Sequence, residues 1–329
     1  MKLNNIELTF ENFANEMAKL KNEKHFDYLV TIIGEDFGEE GLGCIYILEN
    51  TQNNERCSVR TIAKKVDGSD VIPTVTNLWK AADLLEREVF DFVGIKFLGH
   101  PDMRRLFLRT DFVGHPLRKD FDMSPEANKF PLTDEPEDDF TVEYSLDKDG
   151  HLVETKHRLF EEDEYVVNIG PNHPSTHGVL RLQTVIDGET VKRIYPHLGY
   201  IHRGIEKMWE GMTYPQTLAL TDRLNYLSAM MHRHALVGVI EEAMGIELSD
   251  RIRYIRTIMD ELQRIDSHLL FLGCTAQDLG ALTAFLYCMR DREHVLNVME
   301  ETTGGRLIMN YYRIGGLQAC LLYTSDAAD

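Results

Sequence analysis

Residues 170–182 read GPNHPSTHGVLRL and place two histidines, His173 and His177, in a loop restricted by Gly170, Pro171, Pro174 and Gly178. The residues on either side show what the loop connects. Upstream, EYVVNIG (164–170) is a short strand candidate. Downstream, GVLRLQTVIDGETVKRIYPHLG (178–199) breaks at Asp187-Gly188, and an Asp-Gly pair between two alternating apolar runs is a strong hairpin signal. The His loop therefore joins strands of a small sheet. Beyond it the apolar spacing lengthens to a helical period. In SDRIRYIRTIMDELQRIDSHLLFL (249–272), Ile252, Ile255, Ile258, Met259, Leu262, Ile265 and Leu269 fall on one face, with Ser249 as N-cap. Helices are expected to about residue 302.

The N-terminal part alternates differently. FENFANEMAKLKNE (10–23) is amphipathic, FDYLVTIIGED (26–36) and GCIYILEN (43–50) are strand candidates, and LWKAADLLEREVFDFVG (78–94) returns to helical spacing. The expected fold class is an α/β N-terminal domain plus an α+β, mainly helical second domain. Between them, the prolines and carboxylates of DMSPEANKFPLTDEPEDDFTVEYSLDKDG (122–150) leave little to bury. The expected division is 1–125 for the first domain, 126–164 for an acidic linker and 165–319 for the second domain. CLLYTSDAAD (320–329) breaks with what precedes it and reads as a foreign tail.

A formal charge of -19 over 329 residues argues against broad nucleic-acid binding and against adhesion to an anionic membrane face. No apolar run approaches the ~20 residues of a bilayer-spanning helix, and MKLNNIELTFENF lacks the apolar core of a secretory signal. A cytoplasmic chain that reaches a membrane only through partners is expected. The five cysteines are scattered without C-x-x-C, and the common nucleotide and zinc signatures are absent from the sequence. No metal site is expected.

Three stretches carry candidate chemistry. Histidine titrates near neutrality and a stiff loop fixes its direction, so His173 and His177 suit proton delivery to a substrate oxygen; a single loop histidine is otherwise an ordinary hydrogen-bonding residue. TDRLNYLSAMMHRH (221–234) sets Arg223, Tyr226, His232 and His234 on an apparently helical segment, with Met230 and Met231 reading as core. In CTAQDLGALTAF (274–285), Asp278 stands in an apolar stretch where an unpaired carboxylate is costly. It sits either at a helix end or beside a cation, and spacing does not choose. Finally, residues 85–121 interleave Glu86, Arg87, Glu88, Asp91, Arg104, Arg105, Arg118 and Lys119 with aromatics. This is either a solvated face or a surface on which other subunits dock.

EREVFDFVGIKFLGHPDMRRLF (86–107) followed by GHPLRKDF (114–121) resembles the small peripheral C subunit of respiratory complex I, the NADH:quinone oxidoreductase. GPNHPSTHGVLRL, PHLGYIHRGIEKM, QTLALTDRLNYLSAM, ELQRIDSHLLFLG, QDLGALTAF and NYYRIGG resemble its D subunit. The chain thus looks like a fusion of the two, stopping within the D part.

The resemblance implies a hydrogenase-large-subunit-like second domain and a role in quinone reduction coupled to proton translocation by membrane subunits. It implies that His177 and Tyr226 face the quinone headgroup, that Asp278 pairs with His177, and that His173, Ser175, Thr176 and Arg223 support the pocket. Arg104, Arg105, Arg118 and Lys119 would contact sibling subunits. The chain would ligate no cofactor itself, the electrons coming from an iron–sulfur cluster in the adjacent B subunit. Expected partners are the B and I subunits and the membrane-embedded H subunit, on the cytoplasmic face of the bacterial inner membrane.

Two other readings stand beside this one, an assembly scaffold and a relative of the nickel–iron hydrogenase large subunit. The hydrogenase would carry C-x-x-C where this chain has Asn225 and Ser228. Against the pattern of the D subunit, Asn225 replaces a usual aspartate, Ala284 a usual proline, and Ile308 a histidine that many relatives carry near the cluster. The loss of that imidazole favours menaquinone as substrate.

Overall fold

The computed structural model describes residues 4–124, 139–161 and 163–318, apart from the side chain of Ser175. The chain packs as two units, Met1–Gly204 and Ile205–Asp329.

The first unit opens with β1 (Asn4–Leu8), α1 (Phe10–Asn22), β2 (Tyr28–Asp36), β3 (Leu42–Asn50) and β4 (Glu55–Ile62). These strands form a sheet in the order β1-β4-β3-β2, with β1 parallel to β4 and the other pairs antiparallel. The helix α1 buries Phe13, Met17 and Leu20, residues three and four apart on one face. The Asn12 side chain accepts the Thr9 backbone N–H at 2.9 Å and closes the helix start.

Next come β5 (Lys64–Val66), β6 (Ser69–Pro73), α2 (Ala82–Val93) and β7 (Lys96–Leu98), with β6 and β7 parallel across the α2 crossover. Gly94 ends α2 at φ +85°, and a Cβ there would lie 2.5 Å from the His115 ring. Both the left-handed turn and the imidazole packing therefore call for glycine.

The span expected to be an acidic linker contains a hairpin instead. Strands β8 (Phe140–Leu146) and β9 (Leu152–Arg158) pair antiparallel, and β8 lies parallel to β7, so the second sheet runs β5-β6-β7-β8-β9. FTVEYSL alternates well enough to bury Tyr144 against the core, and the edge strand β9 is mostly exposed. The acidic neighbours concealed this period. The rest of the expected linker, 125–138, and the expected tail, 320–329, lie outside the described residues.

Strands β10 (Tyr165–Ile169), β11 (Asn172–His173), β12 (Gly178–Val179), β13 (Arg181–Asp187) and β14 (Thr190–His197) complete the first unit. The three longer ones form an antiparallel sheet in the order β10-β13-β14, and the Asp187-Gly188 turn falls where the sequence predicts it. At the exit of β14, Gly199 has φ +92° and its Cα lies so near residue 107 that a Cβ would stand 1.9 Å from the Phe107 carbonyl oxygen. This sheet belongs to the first unit, which runs to Gly204.

The second unit holds α3 (Ile205–Glu210), α4 (Tyr214–Thr221), α5 (Ala229–Met244), α6 (Asp250–Asp278), α7 (Leu282–Thr303), β15 (Tyr312–Arg313) and β16 (Gly316–Leu317). Its core gathers Leu218, Met230, Val237, Met259, Met299, Tyr311 and Tyr312. The buried side of α6 differs from the expected stripe. Ile255 and Met259 are buried with Arg256, Gln263 and Asp266, while Ile258 and Ile265 are about half exposed. Internal pairing of the polar groups, described below, is what permits their burial. The fold is mixed α/β, and no described helix is long and apolar enough to cross a membrane.

Candidate functional site

The His loop is a tight hairpin of β11 and β12. Gly170 enters it at φ +97°, where a Cβ would lie 1.9 Å from the Leu180 carbonyl oxygen. Thr176 holds the tip, its hydroxyl lying 2.8 Å from the His173 carbonyl oxygen and 3.0 Å from that of Gly178. His177 follows at φ +48°, a left-handed conformation uncommon outside glycine and asparagine-like residues and one that marks constrained sites. The His173 and His177 rings are both exposed. Thr176 thus acts through the backbone, holding the turn that presents the two imidazoles.

Tyr226 lies in the second unit, on the turn between α4 and α5, with 55% of its surface exposed. Arg223 shares this turn, so of the four residues read as helical only His232 and His234 are in α5. The turn is fastened from three sides. The Asn225 side-chain carbonyl accepts the Leu227 N–H at 3.1 Å, which fixes the backbone on both sides of Tyr226. Gln263 of α6 donates to the Leu227 carbonyl at 3.2 Å. Just before the turn, buried Asp222 accepts from Arg233 Nε at 2.7 Å and from the Asn310 N–H at 2.7 Å.

The sequence reading missed this supporting set. Arg233, Asp222, Gln263 and Asp266 are each only 1% exposed. Asp266 meets Arg292 at 2.9 Å, yet burial raises its pKa and outweighs the guanidinium. A second buried pair, Arg256 with Glu241 at 2.8 Å, is joined to the β15–β16 turn by the Gly315 N–H on Glu241 at 2.7 Å. Charges inside an otherwise apolar helix were the available signal, but their partners lie far away in sequence.

Asp278 is the last residue of α6 and is exposed. It belongs to the second unit, as do Tyr226 and Arg223, whereas His173, Ser175, Thr176 and His177 belong to the first.

Much of the charge in the stretch 85–121 is paired within the chain. Arg104 forms a two-point ion pair with Asp102 at 2.8 and 2.7 Å. Arg105 pairs with Asp91 at 2.8 Å and donates to the Phe112 and Gly114 carbonyls, and Arg118 donates to the Val93 carbonyl at 2.6 Å. Asp91 is fully buried, and its Oδ2 accepts three successive N–H groups, from Leu106, Phe107 and Leu108, at 3.1, 2.7 and 2.9 Å. Lys119 is exposed and keeps the docking role open to it. Deeper in the core, burial pushes the Glu86 carboxyl up to about 8, although Thr74 and the Val75 N–H hydrogen-bond it.

Among the described residues, no group of three or more His, Cys, Asp or Glu side chains is placed to hold a metal ion.

Comparison with known proteins gives these pieces a family. Residues 6–127 match the family described as respiratory-chain NADH dehydrogenase, 30 Kd subunit, and residues 278–324 match the 49 Kd subunit family. The second match runs through the first five of the ten residues read as a foreign tail. The C/D subunit of the NADH-quinone oxidoreductase of Phocaeicola vulgatus is 55% identical over 314 residues, covering 95% of this chain and 60% of that protein. Its Bacteroides fragilis counterpart is 55% identical over 318 residues, 93% of this chain and 59% of that protein. The second of two such C/D proteins in Aquifex aeolicus is 41% identical over 320 residues, 93% of this chain and 54% of that protein. The chain spans about 60% of the length of the first two of these relatives. Over residues 6–127 the chain is thus similar to the 30 Kd subunit family of the respiratory-chain NADH dehydrogenase and, over residues 278–324, to its 49 Kd subunit family.

Proposed function

We propose that the chain is part of the peripheral arm of an NADH:quinone oxidoreductase and supplies side chains to its quinone-reduction site. The observation that carries this reading is the fastened turn that holds Tyr226 exposed, built from Asn225, Gln263, Asp222 and Arg233. A turn tied down by buried polar groups while exposing a phenol suits a residue that must meet an external oxygen. His177, held on its own constrained turn, is the second donor.

In this reading two electrons arrive from an iron–sulfur cluster in the neighbouring B subunit, and the quinone oxygens take two protons to give the quinol. Tyr226 O–H and the His177 imidazole hydrogen-bond those oxygens, and each delivers one proton. Asp278 orients the His177 ring, while His173, Ser175, Thr176 and Arg223 hold the pocket walls. The B and I subunits and the membrane-embedded H subunit are the neighbours, at the cytoplasmic face of the bacterial inner membrane, and Lys119 is a contact to one of them. Isoleucine at position 308 cannot take up a proton beside the cluster, which suits menaquinone. A redox titration with a steep pH slope of the cluster potential would oppose that last point.

The test is quinone reduction in membranes whose complex carries His177→Ala, Tyr226→Phe or Asp278→Asn, with NADH–ferricyanide activity as the measure of assembly. Loss of quinone reduction at unchanged ferricyanide activity supports the site. Unchanged quinone reduction in all three variants would make the chain a scaffold.

A further inference from the structure

The contacts that fasten the Tyr226 turn do not end at α6. Gln263 Nε2 donates to the Leu227 carbonyl at 3.2 Å and to Asp266 Oδ2 at 3.1 Å. The same carboxylate meets Arg292 of α7, whose Nε stands 2.9 Å from Oδ1 and whose Nη2 donates to Oδ2 at 3.2 Å. One line of polar groups thus runs from α7 through α6 to the peptide group that follows Leu227.

The line has a direction. A primary amide carries two donors on its nitrogen and only acceptors on its oxygen. Gln263 gives one N–H to each partner, while its Oε1 is buried with no hydrogen-bond partner among the described residues. Turned the other way, the amide would set Oε1 against the Leu227 carbonyl oxygen and an ionised carboxylate, two acceptors that repel it. Ionised Asp266 therefore selects the orientation in which Leu227 receives a hydrogen bond. A protonated Asp266 does not, because its O–H can donate to Oε1 and leave the Leu227 carbonyl without a donor. Burial raises the Asp266 pKa from the usual 3.8; Arg292 acts against that rise, and the like charge of Glu293, also on α7, adds to it.

We propose that Arg292 and Asp266 are positioning residues for Tyr226, acting through the Gln263 amide on the Leu227 carbonyl. Arg292 keeps the buried carboxyl ionised, Asp266 orients the amide, and Gln263 holds the turn that sets the direction of the phenol. The catalytic use of this hold rests on the quinone-site reading of Tyr226, whereas the hold on Leu227 stands without it. The turn is held above the pH at which Asp266 titrates and is released as pH falls through it.

The experiment reads the two parts separately. In the full 329-residue chain, carbon-13 at the leucine carbonyls and nitrogen-15 at serine pick out the Leu227–Ser228 and Leu248–Ser249 peptide groups in one spectrum. As pH falls from about 8 to about 4, the Leu227 carbonyl resonance should move with the Asp266 side-chain carboxyl, and that of Leu248 should not follow it. In Asp266→Asn the movement should vanish. In Arg292→Gln it should occur about one pH unit higher or more, and Arg292→Lys should bring it back towards the parent. In membranes whose complex carries Arg292→Gln, the acid limb of quinone reduction should rise in pH by the same amount at unchanged NADH–ferricyanide activity. Where Arg292→Gln fails to fold, the parent titration and Asp266→Asn decide. A Leu227 resonance indifferent to Asp266, or one that still moves in Asp266→Asn as in the parent, would overturn the proposal. Coupled resonances with an unmoved acid limb would support the positioning of the turn and count against the quinone-site reading of Tyr226.

Discussion

Asp222 and Arg233 meet at 2.7 Å with almost no exposed surface on either side chain, and the second Asp222 oxygen holds the Asn310 N–H. One carboxylate thus joins the Tyr226 turn, α5 and the loop ahead of β15. Removing one partner of a buried ion pair leaves an uncompensated charge, at a cost of about 3–5 kcal/mol. Arg233→Met and Asp222→Leu should each lower the urea midpoint of the second unit by that equivalent. The double variant should lose less than the two separate losses combined. Simple additivity would show that the pair is not coupled.

Glu86 gives the first unit a pH dependence of definite sign. Its carboxyl is raised from 4.5 to about 8 by burial, so between these values the folded state holds a proton that the unfolded state releases. Stability is full below pH 4.5 and falls as pH rises towards 8, by up to about 1.4 kcal/mol per pH unit. In Glu86→Gln that decline should vanish, which unfolding measured at pH 5, 6.5 and 8 reads directly. A parental decline retained in the variant would place its origin elsewhere.

Two glycines with positive φ separate backbone strain from steric clash. Gly188, at φ +60° in the β13–β14 turn, has no neighbour within 4 Å of where a Cβ would stand. Alanine there should cost about 1–2 kcal/mol, the intrinsic cost of the left-handed conformation. At Gly199 the Cβ would also meet the Phe107 carbonyl at 1.9 Å, so Gly199→Ala should cost more and shift the Phe107 amide resonances. Equal losses at the two positions would contradict the close approach.

The Asn225 side-chain oxygen makes the turn contact to the Leu227 N–H. Aspartate offers the same acceptor, so Asn225→Asp should keep quinone reduction close to the parent. Asn225→Ala removes one hydrogen bond of about 1 kcal/mol and should lower the rate roughly five-fold at constant ferricyanide activity. A larger loss in Asn225→Asp than in Asn225→Ala would mean that charge at this position, and not the turn, governs the rate.

The sequence made the local features legible. The α1 face, the strands around GCIYILEN and the Asp187-Gly188 hairpin follow from period and turn chemistry, which neighbouring residues determine. It concealed features set across long separations. Hairpin β8–β9 lay beneath an acidic composition that outweighed its period, and Arg104, Arg105 and Arg118 looked like surface charges because Asp102, Asp91 and the Val93 carbonyl become their neighbours only after folding. The motif residues His177, Tyr226 and Asp278 stood out by resemblance. The groups that position Tyr226, chiefly Asp222, Arg233 and Gln263, carry no local signature.

Asp91 is the point through which helix α2 dictates a loop that has no regular structure of its own. Three consecutive peptide groups hang from one oxygen atom, so the loop takes its shape from a single anchor as an arch does from its keystone. The consequence is an inheritance of position. A shift of α2 carries Arg104, Arg105 and Arg109 with it as a set, and evolution can retune the whole basic cluster by adjusting one helix without rewriting the loop.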